Sequence, residues 1–423
     1  MKNVLMIPSW YPTKTNPING SFFQEQALAL GSEFNMYVGF VDFRRENFIK
    51  FIIRVCTFQL KSHIGNLDLL QPPKAISFIG YGLNLNKIEK LVPAFLSDNF
   101  LKWINEKLEL KTYIRMHHYF VKKLNFKPDL IYAMTSIING VPAYKLGAHC
   151  KIPVILAEHV PFSIEAIPFH SKKSLKKSLE NADSLLVVSY DKARQILMGN
   201  IDCSPIVVGN MVDENIFSLK PEKQSGYIPE ILIVAACNFY KDYTTFFRAM
   251  SHLRTITTKN FKIKIIGIAP NTSKSMWAEG EEKFYNQFKR YNLSDITEIR
   301  NFVSRDKMIH YYHQSDLFVL TSIQEGLPVS LLEAMACGLP VFSTRCGGVE
   351  DFLTDECGRL YHLRDFKSIA EEIKEWLEGR ITFDKNEIRQ MVIKHFGVEA
   401  FKKRMKKVFD HCITNFDHLE LKN

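Results

Sequence analysis

Short apolar runs recur along the chain, each closed by turn residues and followed by a stretch with helical spacing. In the first half, residues 3–8, 36–41, 129–133, 153–157 and 184–189 read as buried strands. In the second, residues 231–236, 261–268, 299–303, 317–321 and 340–343 repeat the same grammar. Helices are predicted between them near 21–31, 242–254, 305–313 and 328–336. Strands that alternate with helices form a parallel sheet wound on both faces. The pattern breaks at Phe217–Pro229, where Lys, Pro, Ser and Gly suit an exposed linker. The expected fold is therefore α/β, two Rossmann-like doubly wound domains facing an interdomain cleft, with ligands at the carboxyl ends of the strands. Segment 44–120 does not follow the pattern and is expected to carry inserted helices and loops.

Length agrees, since 423 residues exceed an ordinary single domain. The formal net charge is +10, and it is unevenly placed. Residues 1–220 hold 26 Lys and Arg against 18 Asp and Glu, whereas the remainder hold 29 against 27. Between Arg44-Arg45 and Lys61 lie Phe48, Ile49, Phe51, Ile52, Ile53 and Val55. A basic, apolar segment of this kind suits contact with an anionic membrane surface, and equally an ordinary amphipathic surface helix. No zinc-finger spacing or RNA-binding aromatic signature is present, so nucleic acid is not an expected partner. No run of about 18 uncharged apolar residues predicts a transmembrane helix. Pro8 closes the opening apolar run too early for a signal peptide. The eight cysteines form no C-x-x-C pair and fit buried thiols in a reducing compartment. A cytoplasmic protein, peripheral at most on the inner membrane face, is expected.

The most informative stretch runs from Thr321 to Pro340. A strand ends near Thr321, a loop carries Glu325-Gly326, and Pro328 stands where a first helical residue belongs. Gly338 and Pro340 then stop the helix. Unpaired amides and the positive end of the helix dipole favour a phosphate at such a start. Gly326 lets a ligand approach the backbone. Glu325 and Glu333 are carboxylates able to accept paired bonds from a ribose or hexose diol.

This run resembles glycosyltransferase family 4, the retaining GT-B enzymes. The likeness rests on Glu325 and Glu333 with seven residues between them, on Ser315-Asp316 before the strand, on Cys346-Gly347-Gly348-Val349-Glu350, and on Gly358 to Asp365. It implies that Glu325 holds sugar hydroxyls, that Glu333 holds the ribose, and that the amides of Gly326, Leu327, Pro328–Val329 and Ser330 meet the diphosphate and donor sugar, with Val303 also at the donor. Gly20, in the loop from Trp10-Tyr11-Pro12 to Ala27, is similar to the family's glycine loop at the donor phosphate. Glu158-His159 after the strand 153–157 is similar to its cleft histidine, so His159 is expected at the donor sugar or acceptor. Val207–Phe217 resembles the crossover between domains, and His395–Phe409 the closing helix that returns to the first. The implied domains are 1–215 on the acceptor side, a linker over 216–229, a nucleotide-sugar domain over 230–394 and a returning segment over 395–423.

One departure stands out. The family places an Arg about five residues before a Lys after the first strand of the second domain, both facing the diphosphate. Here Lys241 fits the lysine, but Ala235-Ala236-Cys237-Asn238 contains no arginine. Either Asn238 donates a hydrogen bond in its place, or phosphate affinity or turnover is reduced. The expected catalytic set is Glu325, Lys241 and His159. No D-x-D triplet occurs, so metal-independent transfer from a UDP- or GDP-sugar, without a further cofactor, is expected. The expected acceptor is a glycan or a lipid-linked sugar. The alternative is a non-catalytic nucleotide-sugar or glycan-binding subunit.

Overall fold

The computed structural model describes all residues except 14–18, 47, 58–62, 67–73, 84–97, 161–168, 224–225, 269–277 and 421–423. The chain forms two compact units. The first comprises Met1–Val187, Ala193–Val208 and Lys402–Asn423; the second comprises Val188–Lys192 and Gly209–Phe401.

The first unit follows the order β1 (Asn3–Ile7), α1 (Ser21–Leu30), β2 (Asn35–Glu46), α2 (Phe48–Cys56), β3 (His63–Asn66), β4 (Lys74–Leu83), α3 (Asp98–Lys123), β5 (Leu130–Met134), α4 (Val141–Cys150), β6 (Val154–Glu158), α5 (Phe169–Asn181), β7 (Ser184–Val187), α6 (Tyr190–Met198) and β8 (Ile206–Val207). Its sheet runs β3-β4-β2-β1-β5-β6-β7-β8. Every pairing is parallel except β3 with β4. β5 and β6 are buried throughout, which is why both read as unbroken apolar runs.

The expectation for 44–120 needs correction, because this segment contributes two strands. β4 pairs with β2 from Tyr37↔Lys74 to Glu46↔Leu83. One face of β4 ends in Gly80 and Gly82, where α3 and Phe43 press against the backbone. A Cβ on Gly80 would lie 2.5 Å from the Thr112 hydroxyl, and one on Gly82 2.7 Å from the Phe43 ring. The strand is buried by its neighbours' side chains, so its own sequence lacks the apolar alternation of a core strand.

The second unit follows β9 (Glu230–Val234), α7 (Tyr243–Ile256), β10 (Lys262–Ile266), α8 (Ala278–Arg290), β11 (Thr297–Arg300), α9 (Arg305–Gln314), β12 (Leu317–Leu320), α10 (Val329–Ala336), β13 (Val341–Thr344), β14 (Gly358–Tyr361), α11 (Phe366–Leu377), α12 (Lys385–Phe396) and the first turn of α13 (Val398–Glu420), whose remainder belongs to the first unit. Its sheet is wholly parallel, in the order β11-β10-β9-β12-β13-β14. One face is filled by Tyr312, Leu331, Leu332 and Met335, the other by Phe246, Phe247, Met250 and Phe284.

Two boundaries differ from the reading of the sequence. The strand placed at 299–303 is Thr297–Arg300, so Val303 lies in the loop beyond it. The described residues of 216–229 fall in the second unit and are anchored rather than free. Phe217 is fully buried against the edge of Tyr312 at 5.8 Å, and Lys220 and Lys223 pair with Asp316 at 3.2 and 2.7 Å. The chain changes unit at Val208–Gly209 and returns at Lys402, within α13. In the first unit, Lys406 of α13 then meets Glu33 at 3.2 Å and Phe409 meets Phe34 at 5.2 Å.

Candidate functional site

Three loops of the second unit, after β9, β12 and β13, are stitched together by short hydrogen bonds. After β9, the Asn238 Oδ1 accepts from Tyr240 N at 3.1 Å and caps one 3-10 turn, Phe239–Lys241. Asp242, at φ +41°, ends that turn and caps α7 through Thr245. The loop after β12 joins it: Ile323 N donates to Tyr240 O at 2.7 Å, and the Thr321 hydroxyl lies within reach of the Lys241 and Asp242 carbonyls. The loop after β13 closes from the other side. Glu325 N donates to Cys346 O at 2.7 Å and the Thr344 hydroxyl to Ser322 O at 2.6 Å. Only glycine permits this approach, since a Cβ on Gly348 would stand 1.7 Å from Gly326 O.

Lys241 and Glu325 are brought together by these loops. Lys241 Nζ lies 2.5 Å from Glu325 Oε1, and the Ser322 hydroxyl donates to the same oxygen at 2.6 Å. Asn210 Nδ2 donates to Leu327 O at 2.7 Å and fixes the turn into α10. Pro328 is the residue before the helix, extended at ψ 120°, rather than its first member. The Ser330 hydroxyl reaches Val234 O at 3.4 Å, which sets the N-terminus of α10 against the carboxyl end of β9. The free amides of that helix start and the Lys241 ammonium therefore border one end of the sheet.

Glu333 has different surroundings. It is buried within α10; Arg305 Nη1 meets Oε1 at 2.6 Å and the Tyr312 hydroxyl donates to Oε2 at 2.7 Å. Burial pushes its carboxyl pKa up, while Arg305 and the Tyr312 bond pull against that shift. The guanidinium of Arg305 itself lies over the Phe217 ring at 5.1 Å.

The second unit thus carries Lys241, Asn238, Glu325, the Gly326–Ser330 turn and Glu333; Lys241 and Glu325 meet directly, whereas Glu333 meets Arg305 and Tyr312. Val303 is half-buried against the same apolar face as α10. Gly20 and His159 lie in the first unit. Gly20 has φ +74°, a Cβ there would meet Trp10 O at 2.4 Å, and α1 starts directly after it. His159 follows β6, and its ring stands nearly perpendicular to that of Phe23 at 5.1 Å. Its neighbour Glu158 is fully buried and accepts from the Ser136 hydroxyl at 2.5 Å and from Val160 N at 2.9 Å. The sequence reading missed Ser322, Thr344, Arg305 and Tyr312. Arg305 and Tyr312 are seven apart on α9 and so share a face, the one signal that was available.

Residues 217–395, which include Lys241, Glu325 and Glu333, match the family described as Glycosyl transferases group 1. Among curated proteins, "Putative colanic acid biosynthesis glycosyltransferase WcaL" of Escherichia coli (strain K12) is 27% identical over 212 residues, 48% of this chain and 50% of that protein. "Putative teichuronic acid biosynthesis glycosyltransferase TuaC" of Bacillus subtilis (strain 168) is 24% identical over 272 residues, 62% of this chain and 64% of that one. The chain spans about half the length of the first curated relatives it matches. Beyond the group 1 region, the fold as a whole is GT-B. Sucrose-phosphate synthase from Thermosynechococcus elongatus has a TM-score of 0.70 at 15% identity, covering 98% of this chain and 100% of that one. HepE from Anabaena, solved in complex with UDP, has a TM-score of 0.66 at 14% identity, covering 97% and 100%.

Proposed function

We propose that this protein is a retaining, metal-independent glycosyltransferase that moves a sugar from a UDP- or GDP-sugar to a glycan or lipid-linked acceptor in surface polysaccharide or other glycoconjugate synthesis. The observation that carries the reading is the Lys241–Glu325 pair at the carboxyl end of β9, beside the N-terminus of α10. As the sugar–phosphate bond breaks, negative charge grows on the departing diphosphate. Lys241 and the amides of the helix start oppose that charge, the task a divalent cation would otherwise perform. Glu325 accepts sugar hydroxyls and Glu333 the ribose diol. Asn238 spends its oxygen on Tyr240, which leaves its amide nitrogen as the donor in place of the missing arginine. Val303 completes the donor contacts. Retention without an enzymic nucleophile implies front-face attack by the acceptor. Family likeness extends the reaction to Gly20 and His159.

The relatives' names support surface polysaccharide as the pathway class, and the UDP complex of HepE supports a UDP donor. Membrane contact is part of the same reading. On α2, Ile52, Ile53 and Val55 are exposed alongside Lys50, with Arg44 and Arg45 exposed at the end of β2. Such a face suits an anionic bilayer at the cytoplasmic side. Among the described residues, no helix is long and apolar enough to cross a membrane.

The test is thermal shift and product analysis with UDP-, GDP- and ADP-sugars, with and without EDTA. Nucleotide-selective stabilisation and transfer that survive EDTA, with retained anomeric configuration by NMR, are expected. Turnover lost on chelation and restored by magnesium would overturn metal independence. Binding without transfer across a broad acceptor panel would favour a non-catalytic subunit.

A further inference from the structure

We propose that Arg305 and Tyr312 are positioning residues that pre-set the Glu333 carboxylate to receive the ribose diol of a nucleoside diphosphate. The inference rests on the donor site proposed above and adds the pair that makes Glu333 competent. A glutamate side chain has three torsions to settle, and a buried one must also keep its charge. Arg305 and Tyr312 act on both. Each holds a different oxygen, at 2.6 and 2.7 Å, so the plane of the carboxylate is set before a ligand arrives. Their own freedom is small. Tyr312 is fully buried between Phe217 at 5.8 Å and Phe318 at 6.5 Å, and Arg305 lies over Phe217. The Tyr312 oxygen is also 3.2 Å from Ser330 O, the first turn of the helix that carries Glu333. A carboxylate oxygen accepts about two hydrogen bonds. With one taken on each from α9, one on each remains, which matches two hydroxyls on adjacent carbons. Preorganisation of this kind lowers the entropy lost on binding.

The test uses the full chain and isothermal titration with UDP and 2′,3′-dideoxy-UDP, or the GDP pair if GDP is the nucleotide that binds. The wild type should favour the hydroxylated ligand by about 10–100-fold. In Arg305→Met that preference should shrink by about 5–10-fold, with Arg305→Lys recovering part of it and Tyr312→Phe losing about 3-fold. Affinity for the dideoxy ligand should stay within about twofold in all three. A merely structural role would weaken both ligands alike, and that result would overturn the proposal, as would an unchanged preference. Equal wild-type affinity for the two ligands would also overturn it, while leaving the donor site standing. Failure of the wild type to bind any nucleoside diphosphate would instead remove the donor reading. If Arg305→Met does not fold, Arg305→Lys and Tyr312→Phe decide the question.

Discussion

Glu325 sits in a loop and answers to a lysine on a one-turn helix; Glu333, eight residues later, sits on a helix and answers to an arginine and a tyrosine from another. Lys241 is the more open partner, its side chain 21% exposed against 15% for Arg305, and it reaches Glu325 on a flexible four-carbon stem. A competing anion can therefore take the ammonium without leaving it unpaired, while the Ser322 hydroxyl still holds the Glu325 oxygen. Arg305 is planar, lies over Phe217 and shares Glu333 with Tyr312, so breaking its pair would leave the buried Glu333 carboxylate without that cation. The comparison separates an exchangeable carboxylate from a fixed one. The first suits a group that changes partners during a reaction, and the second suits a group that must not move.

The strongest way to break this comparison is to remove Glu325. Glu325→Ala should lower transfer by about 100–1,000-fold while the circular dichroism and melting temperature stay near those of the wild type. Near-normal turnover would take Glu325 out of the site. Lys241→Met should cost about 10–100-fold in turnover and weaken UDP more than UMP, as the proposed role of its charge at the diphosphate requires. Equal weakening of UDP and UMP would place the ammonium elsewhere. The scaffold under Glu325 gives a third test. Gly348→Ala forces a Cβ onto the Gly326 carbonyl and should lower stability by about 1–3 kcal/mol in urea unfolding, with turnover falling as the Glu325 loop shifts. Unchanged stability would mean that the loops after β12 and β13 separate easily.

The sequence made one side of this comparison far more legible than the other. The strands of the second unit are buried runs bounded by breakers, and nearly all were readable within a residue or two. β11 was misplaced because it is an edge strand, and its Thr-Glu-Ile-Arg carries little apolar signal. Glu325, Glu333 and Gly326 were visible through their fixed spacing. Arg305 and Tyr312 were not, since the contact with Glu333 bridges at least 21 residues and depends on how α9 packs on α10. Phe217 was hidden by its neighbours, as Lys, Pro and Ser around it imitate a linker while its ring fills the core. β4 was hidden for the opposite reason: glycines there yield space to Thr112 and Phe43 instead of contributing side chains. Local pattern reports a residue's own burial well, and reports poorly what other segments bring to it.

The last and smallest expected effect concerns the fixed carboxylate alone. The carboxyl pKa of Glu333 is raised above its ordinary 4.5, chiefly by burial, with Arg305 and the Tyr312 hydroxyl pulling it down. A carboxyl group whose folded pKa exceeds its unfolded value takes up protons more readily when folded. Its contribution is therefore fully present below pH 4.5 and is lost as pH rises through the raised folded value. Glu333→Gln deletes that titration and leaves the volume in place. The stability of the wild type relative to Glu333→Gln should accordingly be greatest in acid and decline with rising pH, read as urea midpoints from pH 4 to 8. Arg305→Met should steepen the decline, because it removes the larger of the two influences that lower the pKa. A difference that stays flat with pH would mean that Arg305 and Tyr312 together cancel the cost of burial. Glu333 would then be a fully compensated anion, and a ribose diol would have less to gain from meeting it.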